Sequence, residues 1–412
     1  MFFDYYRRSA KTIALIFSSS YTMCEVAIFV RKVYVVGVGY TKIGRLYHRS
    51  LKDLFAEAAW KAIEDAGNNM PQALVVGNET SSSLQDQDNL GAYLADYAGL
   101  GRIPAFKVEA ACGSGGAAFY TAYALVASGM ADIVMAAGVE KLSDARSSGT
   151  TAALAKAAEA EYEAFYGASF TSINALIMHY YMHKYGIDYE DLAEWPVVMH
   201  DYASQNPYAH LRFKVTKDKV LSSRIIAYPL RLLDASPISD GASAVILASE
   251  DIARKITDTP VRVAGVGMAT DNIYVAAREN IDKLVATIRA GKQAFEMAKM
   301  EPKDMDVLEL HDAFSILGLI SLEDLGFAEK GKAAKLFNEG EFHLGDKPTV
   351  NPSGGLKARG HPVGATGIYQ IMEIAMQLRG DFPGVKVSNA ERGLAQSIGG
   401  AGTTITITIL SR

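Results

Sequence analysis

The sequence predicts an α/β protein built from two similar halves, and three observations lead to this fold class. The stretch VYVVGVG from Val33 to Gly39 is echoed by VRVAGVG from Val261 to Gly267, which indicates an internal duplication. Each copy precedes a segment with apolar residues at helical spacing. In each half, short apolar strands then alternate with helices, a pattern typical of a sheet covered on both faces.

The first half is predicted to span residues 31–258. Its first strand is followed by the helix LKDLFAEAAWKAIEDAG, the buried strand ALVVG and a glycine-rich turn that opens the helix CGSGGAAFYTAYALVASG. The strands ADIVMAAGVE and GASAVILASE close this half. The segment from about residue 149 to residue 231 has no counterpart in the second half, and it predicts an inserted, mostly helical loop domain.

The second half, residues 259–412, repeats this order. Its first strand is followed by the helix LVATIRAGKQAFEMAKM, the strand VLELH and the helix GHPVGATGIYQIMEIAMQLRG, and the predicted closing strands are VKVSNA and GTTITITIL. Residues 1–30 are predicted to be a non-structural extension, for example an over-long start whose true first residue is Met23. Their short apolar run imitates a signal peptide, but no A-x-A-like cleavage site follows it.

Composition and charge exclude several classes of protein. With 49% hydrophobic and 21% charged residues and a net charge of -5, the chain has a globular composition without the basic excess of a nucleic-acid-binding protein. No apolar run reaches the roughly 18 residues of a membrane-spanning helix. The only cysteines, Cys24 and Cys112, provide no disulfide framework, which favours a reducing, cytoplasmic location. In GVGYTKIG the third glycine comes too late for a dinucleotide-binding motif, which disfavours a nicotinamide cofactor.

Cys112 is the first candidate for chemistry, and it has two interpretations. It lies where a strand is predicted to turn into a helix, so the unpaired amides and the positive dipole end of that helix would stabilise a thiolate. Gly113, Gly115 and Gly116 would let a substrate approach closely. The alternative is that Cys112 merely packs, because buried free cysteines are common.

Two histidines lie where they could complete a site with Cys112. His361 is in the equivalent glycine-rich turn of the second half, and a histidine within hydrogen-bond reach can take a thiol proton and later return it. A structural turn residue is the alternative. His311 directly follows a predicted strand, at the sheet edge where sites of α/β proteins occur. A helix cap formed by His311 and Asp312 is the competing interpretation.

Three other patterns have weaker functional meaning. SIGGAGTT, which starts at Ser397, can aim backbone amides at an oxyanion or can simply be a tight hairpin. His179 and His183 have metal-ligand spacing, but no glutamate motif or third ligand accompanies them, so no metal site is predicted. A modest run of basic residues could bind the phosphates of a ligand or could be a solvated surface. This run comprises Arg212, Lys214, Lys217 and Lys219.

Together these motifs resemble those of the thiolase superfamily, from about Arg31 to Arg412. EAACGSGGAA is similar to the segment of the acyl-accepting cysteine, LDASPISDGASAVILAS to the motif that closes the first half, and NPSGGLKARGHPVGATG to the thiolase histidine motif. HDAF and YGASFTSINALIMHYYMHKYG resemble the branch that contains sterol-carrier-type thiolases and archaeal acetoacetyl-CoA thiolases.

The resemblance implies a five-layer αβαβα fold of two duplicated halves, with the loop domain lying across the active site and binding CoA. It implies that Cys112 is the acylated nucleophile and that His361 activates it and helps to hold a thioester oxygen. His311 would line this second oxyanion pocket, and the amides of Cys112 and Gly399 would form the first. CoA thioesters are then the substrates, no tightly bound cofactor is expected, and the chain would form a homodimer or homotetramer.

One departure from the family pattern concerns the base that deprotonates carbon. Thiolases generally use a second cysteine, either in the final glycine-rich turn or in an H-D-C-F motif, and here these positions hold Ser397 and Ala313. Neither can be a thiolate, and an alkyl alcohol is far too weak an acid to replace one. The base must be His311, His361 or another group, or the carbon-carbon step is lost.

The resemblance implies an acetyl-CoA C-acetyltransferase that joins two acetyl-CoA molecules into acetoacetyl-CoA and supplies isoprenoid synthesis through mevalonate. The implied protein partners are a hydroxymethylglutaryl-CoA synthase and a small zinc-ribbon acyl-CoA-binding protein. Three alternatives stay open. They are a thiolase of longer or branched 3-ketoacyl-CoA, a decarboxylating condensing enzyme, and a non-catalytic acyl-CoA-binding scaffold.

Overall fold

The computed structural model describes residues 30–412, so the prediction about residues 1–30 lies outside the described residues except for Val30. Residues 31–412 form a single structural unit. Within the described part of the chain, no helix is both long enough and apolar enough to cross a membrane.

The described residues form one ten-stranded mixed sheet and one short hairpin. The strands are β1 (Val33–Tyr40), β2 (Ala73–Gly77), β3 (Ala105–Val108), β4 (Ile133–Glu140), β5 (Ile225–Ala227), β6 (Leu230–Arg231), β7 (Gly241–Ser249), β8 (Val261–Thr270), β9 (Val307–Glu309), β10 (Thr349–Val350), β11 (Arg392–Gly399) and β12 (Thr404–Ser411). In space the large sheet runs β10-β9-β11-β12-β8-β1-β7-β4-β2-β3, and β5 pairs with β6.

The strand order repeats outwards from the middle of the large sheet. The first half runs β1-β7-β4-β2-β3, and the second half runs β8-β12-β11-β9-β10 in the other direction. β1 and β8 join the halves through antiparallel pairing of Tyr34 with Arg262 and of Val35 with Val261. Strands at matching positions in the two halves of the sheet follow one another in the same order along the chain. The predicted duplication and the α/β class are therefore confirmed.

Helices connect the strands and cover the sheet. They are α1 (Leu51–Asp65), α2 (Ser81–Leu84), α3 (Leu90–Tyr97), α4 (Ser114–Ala127), α5 (Ser147–Ala155), α6 (Phe170–Tyr185), α7 (Tyr189–Leu192), α8 (Glu194–Gln205), α9 (Lys217–Leu221), α10 (Glu250–Ile256), α11 (Val285–Ala298), α12 (Ser315–Asp324), α13 (Ala333–Asn338) and α14 (Thr366–Arg379).

Four of these helices and the two halves of the sheet form five layers. α4 and α14 pack against each other in the central layer, and each also contacts strands of both halves. α14 is buried continuously from Thr366 to Leu378, as expected for a helix enclosed on all sides. α1 covers the outer face of the first half and α11 covers that of the second. The predicted αβαβα order is therefore confirmed.

Local sequence explains where the outer helix α1 begins and which face it buries. The Ser50 hydroxyl accepts a hydrogen bond from the Asp53 amide (3.3 Å), and the Asp53 carboxylate accepts one from the Ser50 amide (3.2 Å). This capping box satisfies two backbone donors that the helix leaves unpaired. Leu54, Ala58 and Ile63 then form part of the stripe buried against the sheet, so this helix begins and packs as its pattern predicts.

The segment predicted as a loop domain, about residues 149–231, contains helices α6 to α9 and the β5–β6 hairpin. Trp195 and Tyr181 are its largest buried anchors. The Trp195 ring packs against Phe337, with ring centroids 4.6 Å apart, and the Tyr181 hydroxyl donates a hydrogen bond to Glu323. Since Phe337 and Glu323 belong to the second half, that half holds the segment in place.

One predicted strand is wrong. The segment VKVSNA, residues 385–390, does not join the sheet. The Gln377 side chain of α14 donates a hydrogen bond to the Val385 carbonyl (2.7 Å) and accepts one from the Val387 amide (3.0 Å). These bonds satisfy backbone groups that a neighbouring strand would otherwise have to pair. The closing strand is instead β11, which includes the first residues of the predicted turn SIGGAGTT.

Candidate active site

Cys112, His311 and His361, predicted from three distant motifs, line one cavity of about 200 Å³. Cys112 comes from the turn before α4, His311 from the segment after β9, and His361 from the turn before α14. The cavity therefore takes its candidate catalytic side chains from both halves. Other residues of its wall include Phe170, Asn174, Ala313, Leu317 and Gly400.

The turn that carries Cys112 is tight. Ala111 adopts a left-handed backbone conformation with φ of 52°, which is uncommon for a residue with a Cβ atom and occurs at functional turns. The Ser114 hydroxyl closes this turn, because it accepts a hydrogen bond from the Ala110 amide (2.9 Å) and donates one to the Ala111 carbonyl (2.5 Å). The side chain of Cys112 is thereby held at the cavity, directly before α4.

The surroundings of Cys112 oppose the thiolate that the helix end was expected to stabilise. Burial raises the pKa of the Cys112 thiol well above its usual range, and the nearby Glu79 and Glu140 carboxyls raise it further. Desolvation and the two acidic neighbours act against the helix dipole. Cys112 rests as a thiol and needs a proton acceptor before it can act as a nucleophile.

The hydrogen bonds of His311 determine which of its nitrogens carries the proton. The Ile398 amide donates to His311 Nδ1 (3.1 Å), so Nδ1 is an acceptor and the neutral ring has its proton on Nε2. Burial lowers the pKa of His311 well below its usual range, and His361 and Arg359 lower it further. A neutral ring with an Nε2–H group is a hydrogen-bond donor suited to a thioester oxygen.

His361 lies next to His311 in the cavity, with ring centroids 5.0 Å apart and the rings nearly perpendicular. His361 Nδ1 is 2.8 Å from the Thr366 hydroxyl, and its amide donates to the Ser239 hydroxyl (3.3 Å). Burial, assisted by the Arg359 charge, lowers the pKa of His361 to about 3. The ring is therefore neutral at ordinary pH, and its surroundings disfavour the protonated form.

Asp312 does not form a helix cap, so this interpretation of the His311–Asp312 pair is wrong. The following helix, α12, begins at Ser315 without a side-chain cap. The Asp312 carboxylate instead accepts hydrogen bonds from Trp195 Nε1 (2.8 Å) and from the Leu356 amide (2.6 Å). Asp312 directly follows His311, so these two hydrogen bonds connect the loop segment and the histidine turn to the backbone next to His311.

The Gly399 amide lies beside the Cys112 turn. A Cβ atom placed on Gly113 would be 3.0 Å from Gly399 N, so the end of β11 contacts the residue that follows Cys112. Gly400, the next residue, lines the cavity. The predicted oxyanion residues Cys112 and Gly399 are thus brought together, as are His311 and His361.

Ser397 and Ala313, which stand where the family places a second cysteine, have different surroundings. Ala313 lines the cavity. Ser397 is not among the residues that line the cavity, and its buried hydroxyl has no hydrogen-bond partner within the described residues. It lies against Gly116 of α4 and Gly367 of α14. Ser397 therefore faces the central layer.

Sequence reasoning missed Glu79, which follows β2 in the segment NET. Its carboxyl is close enough to Cys112 to raise the pKa of that thiol. A usable signal existed, because polar residues directly after a buried strand lie at the sheet edge where sites occur. It also missed Arg359, a fully buried residue whose guanidinium lies 5.3 Å from the Tyr369 ring and 3.2 Å from Glu373.

The weaker candidates lie outside the cavity. The exposed His179 ring packs edge-on against Tyr228, and no group of three or more His, Cys, Asp or Glu side chains in residues 30–412 is arranged to hold a metal ion. Within the basic run, Lys214 pairs with Asp201 and Lys217 donates a hydrogen bond to Asn338. Arg212 and Lys219 are exposed.

Comparison with known proteins gives consistent matches over almost the whole described chain. Family models described as "Thiolase, N-terminal domain" and "Thiolase C-terminal domain-like" match residues 33–251 and 267–412. The acetyl-CoA acetyltransferase of Methanothermobacter thermautotrophicus is 46% identical over 384 residues, which cover 93% of this chain and 100% of that protein. Sterol carrier protein 2 of Gallus gallus is 34% identical over 395 residues, covering 92% of this chain and 72% of that protein. The solved structure of human mitochondrial 3-ketoacyl-CoA thiolase in complex with CoA superposes with a TM-score of 0.73 at 20% identity, covering 93% of this chain and 99% of that chain.

Proposed function

Because the chain belongs to the thiolase family, we propose that it is an acetyl-CoA C-acetyltransferase, which converts two acetyl-CoA molecules into acetoacetyl-CoA and CoA. The family, the thiolase fold and the acyltransferase class predicted from the sequence are confirmed by the matched models and relatives. The observation that carries the proposal for the site is the single cavity shared by Cys112, His311 and His361.

In the proposed first half-reaction, the Cys112 sulfur attacks the thioester carbonyl of acetyl-CoA. His361 takes the Cys112 thiol proton, the bond from the carbonyl carbon to the CoA sulfur breaks, and CoA leaves with the electron pair and takes up that proton, so that an acetyl thioester remains on Cys112 and His361 is neutral again. The amides of Cys112 and Gly399 are the proposed donors to the developing oxyanion. Donors held in advance where charge develops are usually the largest single contribution to such a step.

In the proposed second half-reaction, a base removes a proton from the methyl group of a second acetyl-CoA, and the carbanion attacks the acetyl group on Cys112. The bond from the carbonyl carbon to the Cys112 sulfur breaks, and the sulfur takes up the proton that the base removed. The Nε2–H group of His311 is the proposed donor to the oxygen of the enolate. His361 is the proposed base, because its imidazole lines the cavity and is neutral. Ala313 has no ionisable group, and Ser397 does not line the cavity.

The proposal extends to the setting of the enzyme. CoA thioesters are the proposed substrates without a tightly bound cofactor, and the product would supply isoprenoid synthesis through mevalonate. The chain would act as a homodimer or homotetramer in the cytoplasm, with a hydroxymethylglutaryl-CoA synthase and a small zinc-ribbon acyl-CoA-binding protein as partners. The acetyl-CoA acetyltransferase name of the archaeal relative supports the substrate assignment.

Thiolysis of acetoacetyl-CoA tests this function. Purified protein is mixed with acetoacetyl-CoA and CoA, and the loss of the ketothioester and gain of acetyl-CoA are followed for wild type, Cys112→Ala and Ser397→Ala. We expect turnover by wild type, loss of turnover by at least about 10³-fold in Cys112→Ala because the nucleophile is gone, and a rate within about twofold of wild type in Ser397→Ala.

A different result would identify an alternative. If wild type does not turn over but acetyl-CoA still acetylates Cys112 in a mass spectrum, the carbon-carbon step is missing, and a malonyl-CoA requirement would indicate a decarboxylating enzyme. Faster cleavage of longer 3-ketoacyl-CoA would indicate a degradative thiolase. A protein that binds acyl-CoA without acylation of Cys112 would be a scaffold.

A further inference from the structure

Asn174 is a buried polar residue in the wall of the active-site cavity, and the mechanism above does not use it. Among the residues that line the cavity, the buried polar side chains are those of His311, His361 and Asn174. The two histidines already have proposed roles in the reaction. Because a buried amide is unfavourable unless its hydrogen bonds are made, Asn174 is a candidate for a further function.

The Asn174 amide makes one hydrogen bond, which fixes its orientation. Its Nδ2 atom donates to the Phe170 carbonyl (2.8 Å). Since a carbonyl can only accept, the NH₂ end of the amide must face that backbone group. The Oδ1 atom is buried without a hydrogen-bond partner among the described residues. The amide is therefore held in place with hydrogen-bonding capacity left over.

The position of Asn174 is one that an apolar residue would ordinarily occupy. It lies in the second turn of α6, where leucine has a higher helix propensity than asparagine. The cavity wall also contains large apolar side chains, namely Phe170 of the same helix and Phe314 and Leu317 at the start of α12, which packs against α6. The other buried residues of α6 are Ile173, Ala175, Ile177, Met178 and Tyr181. Asn174 thus places a buried amide where neither the helix nor its packing calls for one.

The volume of the cavity does not by itself select a short acyl group. An apolar cavity of about 150 Å³ can hold a benzene molecule, and the cavity at Cys112 has a volume of about 200 Å³. In the first half-reaction it holds a single acyl group, and acetyl is much smaller than benzene. A longer chain would therefore fit by volume, so selection against it has to come from the chemistry of the wall.

We propose that Asn174 is a specificity-determining residue that selects short acyl groups in the cavity at Cys112. The proposal rests on the acetyltransferase function and deepens it, because it assigns the choice of substrate class to one side chain. An acetyl group leaves room for water, which can hydrogen-bond to the amide. A longer alkyl chain would cover the amide without offering a donor or an acceptor, which is unfavourable for binding.

Binding of unreactive CoA thioethers tests the proposal. The dissociation constants of S-ethyl-CoA and S-hexyl-CoA are measured by calorimetric titration of the full-length protein. In Asn174→Leu we expect their ratio to shift by about 10-fold in favour of S-hexyl-CoA, because covering an unpaired polar group typically has an effect of this size. Asn69→Leu is the matched control, since Asn69 Nδ2 also donates to a backbone carbonyl, that of Ala66 (2.8 Å), but Asn69 does not line the cavity. It should keep the ratio within about twofold of wild type.

The direction of the shift separates polarity from size. Leucine is larger than asparagine, so a residue that acted only by occupying space would shift the ratio towards S-ethyl-CoA in Asn174→Leu. An unchanged ratio, or a shift in that direction, overturns the proposal. Asn174→Ala should also favour S-hexyl-CoA, because it removes the amide and adds room. No change in Asn174→Ala would mean that the chain does not reach residue 174, which overturns the proposal as well.

A comparison of two ligands in wild type decides the question if urea unfolding shows that a variant is not folded. S-butyl-CoA and S-(3-hydroxypropyl)-CoA have chains of equal length, and a hydroxyl replaces the last methyl group in the second. A wall without a polar partner would favour the butyl chain, because a buried hydroxyl would be unpaired. We expect S-(3-hydroxypropyl)-CoA to bind more tightly, since its hydroxyl can pair with the Asn174 amide. Tighter binding of S-butyl-CoA overturns the proposal.

These measurements separate this inference from the proposed function, because thioethers bind without reacting. If the ratio depends on Asn174 but wild type does not cleave acetoacetyl-CoA, the acetyltransferase proposal fails and the role of Asn174 in selecting the acyl chain stands. If acetoacetyl-CoA is cleaved and the ratio does not depend on Asn174, the acetyltransferase function stands and the role of Asn174 fails.

Discussion

At the scale of single residues, desolvation determines the protonation states in the cavity. Burial is the largest cause of the change in pKa of His311, His361 and Cys112. The same burial that destabilises charge makes the histidines neutral donors and acceptors and keeps the cysteine as a thiol. The site is therefore arranged for proton transfer between neutral groups.

This burial links stability to pH in a direction that can be tested. The pKa of His361 is about 3 in the folded protein, whereas an unfolded histidine titrates near 6.5. Between these values the unfolded chain binds a proton that the folded protein does not, so the free energy of unfolding falls as pH decreases. For one such histidine the loss between pH 7 and pH 5 is about 2 kcal/mol.

We expect the His361→Gln variant to lose this contribution. Urea unfolding at pH 7 and pH 5 should show a decrease in unfolding free energy that is smaller by about 2 kcal/mol in the variant than in wild type. His179→Gln, which replaces an exposed histidine, should keep the wild-type decrease. Equal decreases in wild type and His361→Gln would show that His361 titrates in the folded protein much as it does in the unfolded chain.

At the scale of elements, periodicity and turn composition predict the long, regular pieces of the fold, and tertiary packing decides the rest. α1, α4, α14 and the strands β1 and β8 have clear patterns and form as expected. The edge strands β3 and β10 are only four and two residues long, too short for an alternation to show. The VKVSNA segment has strand-forming residues, yet Gln377 from α14 satisfies its backbone, a contact that no local pattern reveals.

The residues of the candidate site also divide into those that local patterns predict and those that only the folded structure reveals. Cys112, His311 and His361 can be predicted because each stands at a glycine-rich turn or directly after an apolar strand. Glu79 also follows such a strand, but glutamate in a turn ordinarily indicates a solvated surface. Its carboxyl oxygens are buried, and Glu140, which accepts a hydrogen bond from its amide, approaches it only in the folded chain.

The contact between α12 and the loop segment gives a prediction for an element. Gly318 lies inside α12, and a Cβ atom placed on it would overlap the ring of Trp195. Replacement of glycine by alanine in a helix interior usually stabilises by about 1 kcal/mol, but overpacking a full core typically costs about 1 to 3 kcal/mol. We expect Gly318→Ala to lower the free energy of unfolding in urea.

A matched substitution isolates the packing effect in this experiment. Gly149 of α5 has room for a methyl group, since its Cβ atom would lie 3.5 Å from the nearest side-chain atom, that of Ala145. Gly149→Ala should therefore stabilise the protein or leave it unchanged. Stabilisation by both variants would mean that α12 and Trp195 can move apart to make room for the methyl group. Packing of Trp195 against α12 would then not be what holds the Trp195–Asp312 hydrogen bond next to His311.

At the scale of the whole molecule, the duplication explains why the cavity requires both halves. The equivalent turns before α4 and α14 carry Cys112 and His361, and these two helices pack side by side in the central layer. β1 and β8, by contrast, join the halves through only two residue pairs. The halves are therefore held together mainly by the central helices, which also position the two turns.

Hydrogen exchange of backbone amides can test this coupling in the intact protein. α4 contacts strands of the second half and α14 contacts strands of the first, so neither helix can lose its partner without exposing apolar surface on both. We expect amides in the middle of α4 and α14 to exchange with the same free energy, equal to that of global unfolding in urea. If α14 exchanges at a much lower free energy than α4, the second half opens by itself, and Cys112 and His361 separate in a minor state of the folded protein.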